Sequence, residues 1–416
     1  MSRKNRLFKN VVVQSFVSLS FIQLVNLIVP FLTYPYIISI IGLEKYGLLL
    51  VPQGIAAFFN IISDYGYKLL MTKEISINRN DNHKLQDTIS KAITFKVLIG
   101  LIIMLIWFII IRITPYFWEF KELHIASFGL IIYELLFPTY FYQGVEKMYL
   151  STVQTIVGKV VTVCLIFIFL NNPNDFILIP IFQSIGFSIC VILAYVTLYR
   201  KFNLKIKFLK INFINELKKT SYLVLSNLIT TSKDKLSYII IGSQLGPSKL
   251  AIIDFGLKLS GLISQPADAL QTALYPNLIT NKNIKKGFRY TNQFFPVLLL
   301  IVLLTQIGLN KIIILISNEF IVGEDQIRIL LLSPIVMIYS LFFVRHVIIA
   351  NGLKRILINS SIATAIFYFS TTMLLIKSEN YSIQTISILT ISCLIFELIL
   401  RIQLSKSFKQ IKRLWY

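Results

Sequence analysis

The chain has 416 residues, of which 56% are hydrophobic and only 14% charged, whereas a soluble domain carries roughly 25% charged residues. Lys and Arg number 41 against 19 Asp and Glu, an excess that would suggest nucleic-acid binding in a soluble protein. The low charge content excludes a soluble domain as the main part of the chain. We therefore expect a membrane protein without a nucleic-acid partner.

Apolar runs of about 20 residues, the length that crosses a hydrocarbon core of roughly 30 Å, recur along the whole sequence. They predict an all-α polytopic membrane protein with about twelve transmembrane helices. The predicted spans are 11–40, 43–64, 92–111, 123–141, 151–170, 176–198, 220–242, 250–279, 291–316, 328–350, 358–376 and 382–402.

Basic residues are distributed unevenly between the two sides of this predicted topology. Only six Lys and Arg lie in the loops of one side, whereas most of the others lie in the termini and the loops of the opposite side. Cytoplasmic loops carry the excess of Lys and Arg in membrane proteins. The pattern predicts that both termini are cytoplasmic.

The longest basic loop, residues 199–219, separates six predicted spans from six. It is interpreted either as a solvated linker held at anionic lipid head groups or as a recognition segment. The run Ile41-Gly42-Leu-Glu-Lys-Tyr46-Gly47 after the first span has a weak echo in Leu245-Gly246-Pro-Ser-Lys-Leu-Ala251 after the seventh. We predict an N-terminal six-helix bundle over 1–205 and a C-terminal one over 206–416.

Ionisable and polar residues inside the predicted spans are candidate functional residues, because a charge there costs about 2.5–3.5 kcal/mol on insertion scales. In the N-terminal half, Gln53, Asn60 and Asp64 share a face of the second span. Glu134 lies midway along the fourth span and Lys159 is two turns inside the fifth. Lys159 is interpreted as a cavity cation or as a snorkelling side chain, and Glu134 as a coupling carboxylate or as a structural partner of Lys159.

The eighth span carries a regular polar stripe formed by Asp254, Lys258, Gln265, Asp268 and Thr272. Their spacing keeps them on one helix face. The stripe is interpreted either as a cavity-lining face or, at its start, as an intrahelical Asp254–Lys258 ion pair buried between helices.

Two lysines of the seventh span, Lys233 and Lys235, point in nearly opposite directions in a regular helix, and we expect Lys233 to face the cavity. Lys96, Arg345 and Glu397 lie near predicted cytoplasmic ends of spans and are interpreted mainly as anchors. Glu397 stands four residues before Arg401, the favourable order for an ion pair.

Cysteine and histidine give no sign of a metal or disulfide framework. The three Cys lie inside apolar runs, and the three His are far apart without ligand spacing. We predict no metal site, no cofactor and no catalytic residues.

Three stretches carry a family likeness. Pro30-Phe-Leu-Thr-Tyr-Pro-Tyr36 leads into Ile41-Gly42-Leu-Glu-Lys-Tyr46-Gly47, and Ser63-Asp64-Tyr-Gly66 is followed by Thr72-Lys73-Glu74-Ile75. The third stretch contains the motif residues Gln143, Gly144, Glu146 and Lys147. Together they resemble the Wzx-type O-antigen flippases of the polysaccharide transporter family.

The resemblance implies the fold of the multidrug/oligosaccharidyl-lipid/polysaccharide superfamily, with two six-helix bundles around a central cavity. It also implies a bacterial inner-membrane location and an undecaprenyl-pyrophosphate-linked oligosaccharide as cargo. On this interpretation Lys159, Lys233 and Lys258 bind the pyrophosphate. An O-antigen polymerase and a chain-length regulator are further expected partners.

Two alternatives belong to other classes. A multispanning O-antigen polymerase or glycosyltransferase is expected to present a sizeable outer loop with catalytic charges, and the longest outer loop here is only about 311–327. A cation-coupled drug exporter of the same superfamily is disfavoured by the surplus of intramembrane lysines, which does not suit a cationic cargo. The sequence therefore favours a transporter of an anionic lipid-linked sugar.

Overall fold

The structure is a computed structural model that describes the backbone of residues 3–64, 67–281, 284–351 and 353–406. Side chains are described between residues 29 and 405, except for 65–66, 69, 219–232, 272–273, 275–283, 352 and 354. Within these residues the chain contains helices and no strand, as predicted.

The N-terminal half begins with three helices, α1 (Arg3–Asp64), α2 (Tyr67–Asn78) and α3 (Asn82–Ile113). Four short helices follow: α4 (Pro115–Glu119), α5 (Lys121–Ala126), α6 (Gly129–Leu136) and α7 (Thr139–Gly144). The half ends with α8 (Met148–Phe169), a 3₁₀ turn (Pro173–Ile177) and α9 (Leu178–Phe202).

The C-terminal half contains α10 (Phe213–Leu245), α11 (Pro247–Asn281), α12 (Ile284–Ile316) and a 3₁₀ turn (Asn318–Gly323). It continues with α13 (Glu324–Leu330), α14 (Ser333–Phe342), a π-helical segment (Phe343–Ile349), α15 (Lys354–Lys377) and α16 (Ile383–Lys406).

Helix α1 is interrupted at Gly42, which has a φ of 77°. The 62 residues of α1 would reach about 93 Å as one straight helix, three times the thickness of a hydrocarbon core. Gly42 falls between the predicted spans 11–40 and 43–64. A residue without Cβ is suited to this joint because positive φ is sterically unfavourable for other L-residues.

Gly246, at the joint between α10 and α11, also has a positive φ, of 92°. It occupies the same place in the sequence echo as Gly42, after the first predicted span of its half. The two joints thus share their glycine and its positive φ, which agrees with the internal repeat that the echo indicates.

The predicted fourth span, 123–141, is broken into α5, α6 and α7. Pro138 separates the last two helices, and Phe137 before it is extended with a ψ of 116°. Proline has no N–H to continue a helix and disfavours helical backbone at the preceding residue. The break places the Gln143–Gly144 turn in a short helix of its own.

Contacts divide the chain into two compact units, Met1–Thr231 and Ser232–Tyr416, with the boundary inside α10. This contact boundary lies further along the chain than the predicted one at 205/206. The assignment of a six-helix bundle to each half stays a prediction.

Nine helical segments within the described residues are long and apolar enough to cross a membrane. Helices α10 and α11 are long enough to span but are not among the nine, and both carry charges that the sequence analysis predicted to lie within the membrane. The polytopic membrane architecture is confirmed, and the count of twelve stays a prediction.

Candidate functional site

A polar cluster lies inside the N-terminal unit, around a lysine whose position the sequence analysis misjudged. The side chain of Lys96 on α3 is buried, with 1% of the residue exposed. Its Nζ donates to the Glu134 backbone carbonyl at 2.8 Å and lies 5.6 Å from the centre of the Tyr140 ring. The interpretation of Lys96 as an interfacial anchor is therefore wrong.

Two carboxyl groups, those of Glu134 and Asp64, interact electrostatically with the Lys96 ammonium. Asp64 shares a face of α1 with Asn60 one turn earlier, and each of them has a buried side-chain oxygen, Oδ1, that accepts no hydrogen bond within the described part of the chain. A buried acceptor without a donor is rare in proteins and marks a candidate functional atom. Gln53 lies further along the same face and is half-buried.

Lys159 is half-buried on α8 and forms no ion pair within the described residues. The expected structural pair between Lys159 and Glu134 is not formed, because Lys96 is the cation beside Glu134. Thr155, one turn before Lys159, exchanges a hydrogen bond with the Tyr133 hydroxyl at 3.2 Å.

The C-terminal unit contains the Asp254–Lys258 ion pair, with 2.8 Å between Lys258 Nζ and Asp254 Oδ2. The Tyr238 hydroxyl donates to the other oxygen, Asp254 Oδ1, at 2.7 Å. The Asp254 side chain is 1% exposed, whereas that of Lys258 is 35% exposed. The carboxylate is thus fully enclosed by protein, while its lysine partner keeps an accessible side.

Further along the polar stripe, Asp268 binds Arg345 of the π-helical segment. The Arg345 guanidinium donates to Asp268 Oδ1 at 2.7 Å and to the Asp268 backbone carbonyl at 2.9 Å. Arg345 therefore joins two helices, rather than serving mainly as an anchor. Gln265 is half-buried, and the side chain of Thr272 lies outside the described residues.

The residue after Arg345, His346, continues this polar contact. Its Nε2 is 2.9 Å from Gln271 Oε1, and the Gln271 amide donates to Thr291 Oγ1 at 3.0 Å. The network ties the π-helical segment to α11 and α12. Single-turn π segments occur frequently at functional sites.

Lys233 on α10 is bound by its chain neighbour, with 2.5 Å between Lys233 Nζ and Asp234 Oδ1. Its ammonium also lies 5.5 Å from the centre of the Tyr368 ring, within the range of a cation–π interaction. Lys235 lies 5.8 Å from the Tyr238 ring centre. On α16, Arg401 forms the expected ion pair with Glu397 four residues earlier.

The comparisons with known proteins decide the family. A family model described as polysaccharide biosynthesis protein matches residues 12–282, well over half of the chain. The chain belongs to this family. Its structure also resembles an inward-facing multidrug resistance MATE family transporter of the MOP superfamily, with a TM-score of 0.70, 13% identity and coverage of 96% of this chain and 99% of that one. That likeness shows a common fold.

Two relatives of this polysaccharide biosynthesis protein carry the name "Putative O-antigen transporter". The one from Escherichia coli (strain K12) is 26% identical over 177 residues, which is 42% of each chain. The one from Shigella dysenteriae is 24% identical over 273 residues, 64% of this chain and 66% of that one. The matches therefore span less than two thirds of the relatives' lengths.

The motif around Gln143 forms the end of helix α7 in this polysaccharide biosynthesis protein. The Lys147 N–H donates to the Tyr142 carbonyl at 2.8 Å, and the Glu146 N–H donates to the Gln143 carbonyl at 3.2 Å. This is a Schellman arrangement, which requires a left-handed residue that is usually glycine. Here Glu146 has that conformation, with a φ of 60°, and its carboxylate lies 3.0 Å from Arg79 NH1.

Gly144 lies inside this turn, and its φ is not positive. A Cβ added to Gly144 would lie 2.6 Å from Ile75 Cγ2 and 3.0 Å from the Thr72 carbonyl. The glycine is therefore required by close packing against α2 and not by a positive φ.

Gly144→Val is expected to lower the amount of folded protein in the membrane, because valine would push α7 away from α2 at a cost of about 1–3 kcal/mol. Membrane abundance by quantitative immunoblot measures the effect. The double variant Gly144→Ala with Ile75→Ala should lose less stability than the sum of the two single variants, since Ile75→Ala removes the nearest clashing side chain. Wild-type abundance of Gly144→Val would contradict this packing argument.

Proposed function

We propose that this polysaccharide biosynthesis protein moves undecaprenyl-pyrophosphate-linked O-antigen repeat units from the cytoplasmic to the periplasmic face of a bacterial inner membrane. In this proposal it is a transporter rather than an enzyme, works by alternating access, and has both termini in the cytoplasm. The transporter-type fold and the names of the two relatives support it.

The observation that carries the proposal is the environment of Lys258. The buried Asp254 carboxylate accepts a hydrogen bond from the Tyr238 hydroxyl and pairs with Lys258, yet 35% of the Lys258 side chain remains exposed. A partly exposed lysine side chain beside a fixed counter-ion suits reversible binding of pyrophosphate.

Lys233 and Lys159 are the other proposed pyrophosphate-binding cations. Lys233 is positioned by Asp234 and the Tyr368 ring. Lys159 follows Gly158, where α8 packs closely against Gly186 and Cys190 of α9. The half-buried Gln53 and Gln265 are proposed to contact sugar hydroxyls, while the polyprenyl tail stays in lipid.

Coupling of transport to protons is proposed for Asp64 and Glu134, with Asp254 and Asp268 as further candidate carboxylates. The Asp64 Oδ1 atom is buried and accepts no hydrogen bond within the described chain, although its carboxyl group interacts with the Lys96 ammonium. Protonation of Asp64 would weaken that attraction. A group that changes its interaction with protonation is what coupling requires.

A deletion strain tests the proposal. Cells that lack the gene are expected to accumulate lipid-linked repeat units on the cytoplasmic face and to lose surface O-antigen, and the wild-type gene should restore both. The leaflet is measured by access of the sugars to a glycosidase in intact spheroplasts compared with inverted vesicles. A deletion that changes only polymer length would instead identify a polymerase or a chain-length regulator, which we propose as partners.

A further inference from the structure

A groove of about 530 Å³ lies on the surface of the N-terminal unit. Its residues on α3, Asp87, Thr88 and Lys91, lie in the N-terminal part of a helix that is long and apolar enough to cross a membrane. Its walls are α2, the start of α3, the segment between α9 and α10, and the start of α10. The volume falls within the roughly 300–1,000 Å³ of typical ligand pockets. No role assigned above uses this groove.

One wall is the segment 203–212, here named the strap, which belongs to the basic loop of the sequence analysis. Alternate backbone N–H groups of the strap bind side chains spaced one turn apart on α3. The three hydrogen bonds join the Lys205 N–H to Gln86 Oε1 at 3.0 Å, the Lys207 N–H to Ser90 Oγ at 3.1 Å and the Leu209 N–H to Thr94 Oγ1 at 3.1 Å.

This ladder is possible because two residues of extended chain advance about 6.6 Å, close to the roughly 6.0 Å of four helical residues. The backbone of the strap is thus fixed along α3, while its lysine side chains remain exposed. The backbone of the strap along one wall of the groove is held in place before any ligand binds, which lowers the entropy that binding must overcome.

The floor of the groove is a satisfied polar triad. Glu216 is 4% exposed and accepts hydrogen bonds from the Tyr67 hydroxyl at 3.2 Å and from Lys91 Nζ at 3.1 Å. Burial, together with the nearby Glu216 charge, raises the pKa of Tyr67 and keeps its hydroxyl a donor. Glu216 and Lys91 therefore balance each other's charge.

The groups that remain available line the rest of the groove. The carboxylates of Glu74 and Asp87 and the ammonium of Lys210 form no hydrogen bond or ion pair within the described residues. Asn212 uses its Oδ1 to accept the Asn215 N–H at 3.1 Å, which leaves its amide N–H₂ as a donor. The groove thus offers two charged acceptors and two kinds of donor.

The charges limit the kinds of ligand that fit. Among the described residues no three His, Cys, Asp or Glu side chains converge as a metal site would require. A pyrophosphate would meet two unpaired carboxylates and a single unpaired lysine, so repulsion disfavours it. Hydroxyl groups both donate to carboxylates and accept from amide and ammonium groups, and hydrogen bonds to charged partners are the stronger ones.

We infer that this groove binds the sugar head group of the lipid-linked oligosaccharide on the cytoplasmic side, before the cargo enters the membrane path. The inference rests on the proposed function and on the predicted cytoplasmic location of 65–91 and 199–219. In this inference the sugar end and the pyrophosphate end of the cargo are recognised at different sites. The groove binds the sugars through Glu74, Asp87 and Asn212, and the intramembrane lysines bind the pyrophosphate.

Binding of the free sugar tests the inference directly. The probe is the oligosaccharide released by mild acid from the lipid-linked pool of the strain that carries the gene, titrated calorimetrically into the full-length protein in lipid nanodiscs. Glu74→Gln with Asp87→Asn should weaken binding about tenfold or more, because each change removes a charge-assisted hydrogen bond. The matched control, Glu119→Gln with Glu122→Gln, alters two exposed carboxylates of α4 and α5 outside the groove and should bind normally.

Equal affinity of the wild type and the groove variant, or no sugar binding by the wild type, would overturn the inference. So would an inorganic pyrophosphate titration in which the groove variant loses binding that the wild type shows. Complementation of the deletion strain separates this failure from that of the proposed function. If the wild-type gene does not restore O-antigen display, the proposed function is wrong. If the wild-type gene restores display but the groove variant binds the sugar as tightly as the wild type, only the assignment of the groove is wrong.

Discussion

Gly158→Ala is expected to remove most of the folded protein from the membrane, although it adds a single methyl group. A Cβ at Gly158 would lie 2.4 Å from the Gly186 backbone carbonyl oxygen and 2.1 Å from Cys190 Sγ. Small residues allow membrane helices such as α8 and α9 to approach closely. Since a backbone atom cannot rotate away, we expect a cost at or above the upper end of the roughly 1–3 kcal/mol of an overpacked core.

Membrane abundance and thermal unfolding of the purified protein measure this effect. The matched control is Gly308→Ala on α12, where an added Cβ has nothing within 4 Å, and it should behave as wild type. The double variant Gly158→Ala with Cys190→Ala should not recover, because the carbonyl of Gly186 remains in place. Normal abundance of Gly158→Ala would show that α8 and α9 are not packed as closely as the structure places them.

Lys258→Ala is expected to abolish O-antigen display and also to reduce the amount of protein. Asp254 would remain in a fully enclosed site with the Tyr238 hydroxyl as a donor but without the Lys258 ammonium. Removal of one partner from a buried ion pair costs about 3–5 kcal/mol. Immunoblots of membranes and of surface polysaccharide measure the two losses separately.

The double variant Asp254→Ala with Lys258→Ala distinguishes cargo binding from a structural role. It removes the stranded carboxylate together with the cation, so protein abundance should recover. Recovered abundance without O-antigen display would support Lys258 as a cargo-binding cation, and Lys258→Arg, which keeps the charge, should retain part of the display. If the double variant restored display, the pair would be structural and the proposed role of Lys258 would be wrong.

The polar stripe of α11 shows which contacts can be predicted from residue spacing along one helix. A period close to 3.6 residues predicted that Asp254, Lys258 and Asp268 share a face, and it identified the Asp254–Lys258 pair as one of two alternatives. The spacing did not reveal that Asp268 pairs with Arg345, which is 77 residues away in the sequence. Partners on other helices leave no trace in the period of one helix.

Lys96 was misinterpreted, and the contact between the strap and α3 was not predicted, for a related reason. The predicted span 92–111 put Lys96 near a helix end, whereas α3 begins at Asn82 and the lysine is enclosed by protein. Helix α3 continues on the N-terminal side of the predicted apolar span, and Gln86, Ser90 and Thr94 lie in its N-terminal part. Their spacing of four residues was visible in the sequence, but the alternate N–H groups that they bind belong to a segment more than a hundred residues later.

The sequence by itself determined the membrane class, the all-α architecture and the resemblance to the family, because hydrophobic length and local motifs depend only on neighbouring residues. The tertiary structure alone decided which charges meet, why Gly144 and Gly158 must be glycine, and that the strap is fixed to α3. These features depend on distances between helices that are remote in sequence. Such distances are set by side-chain packing, which hydrophobic periodicity does not encode.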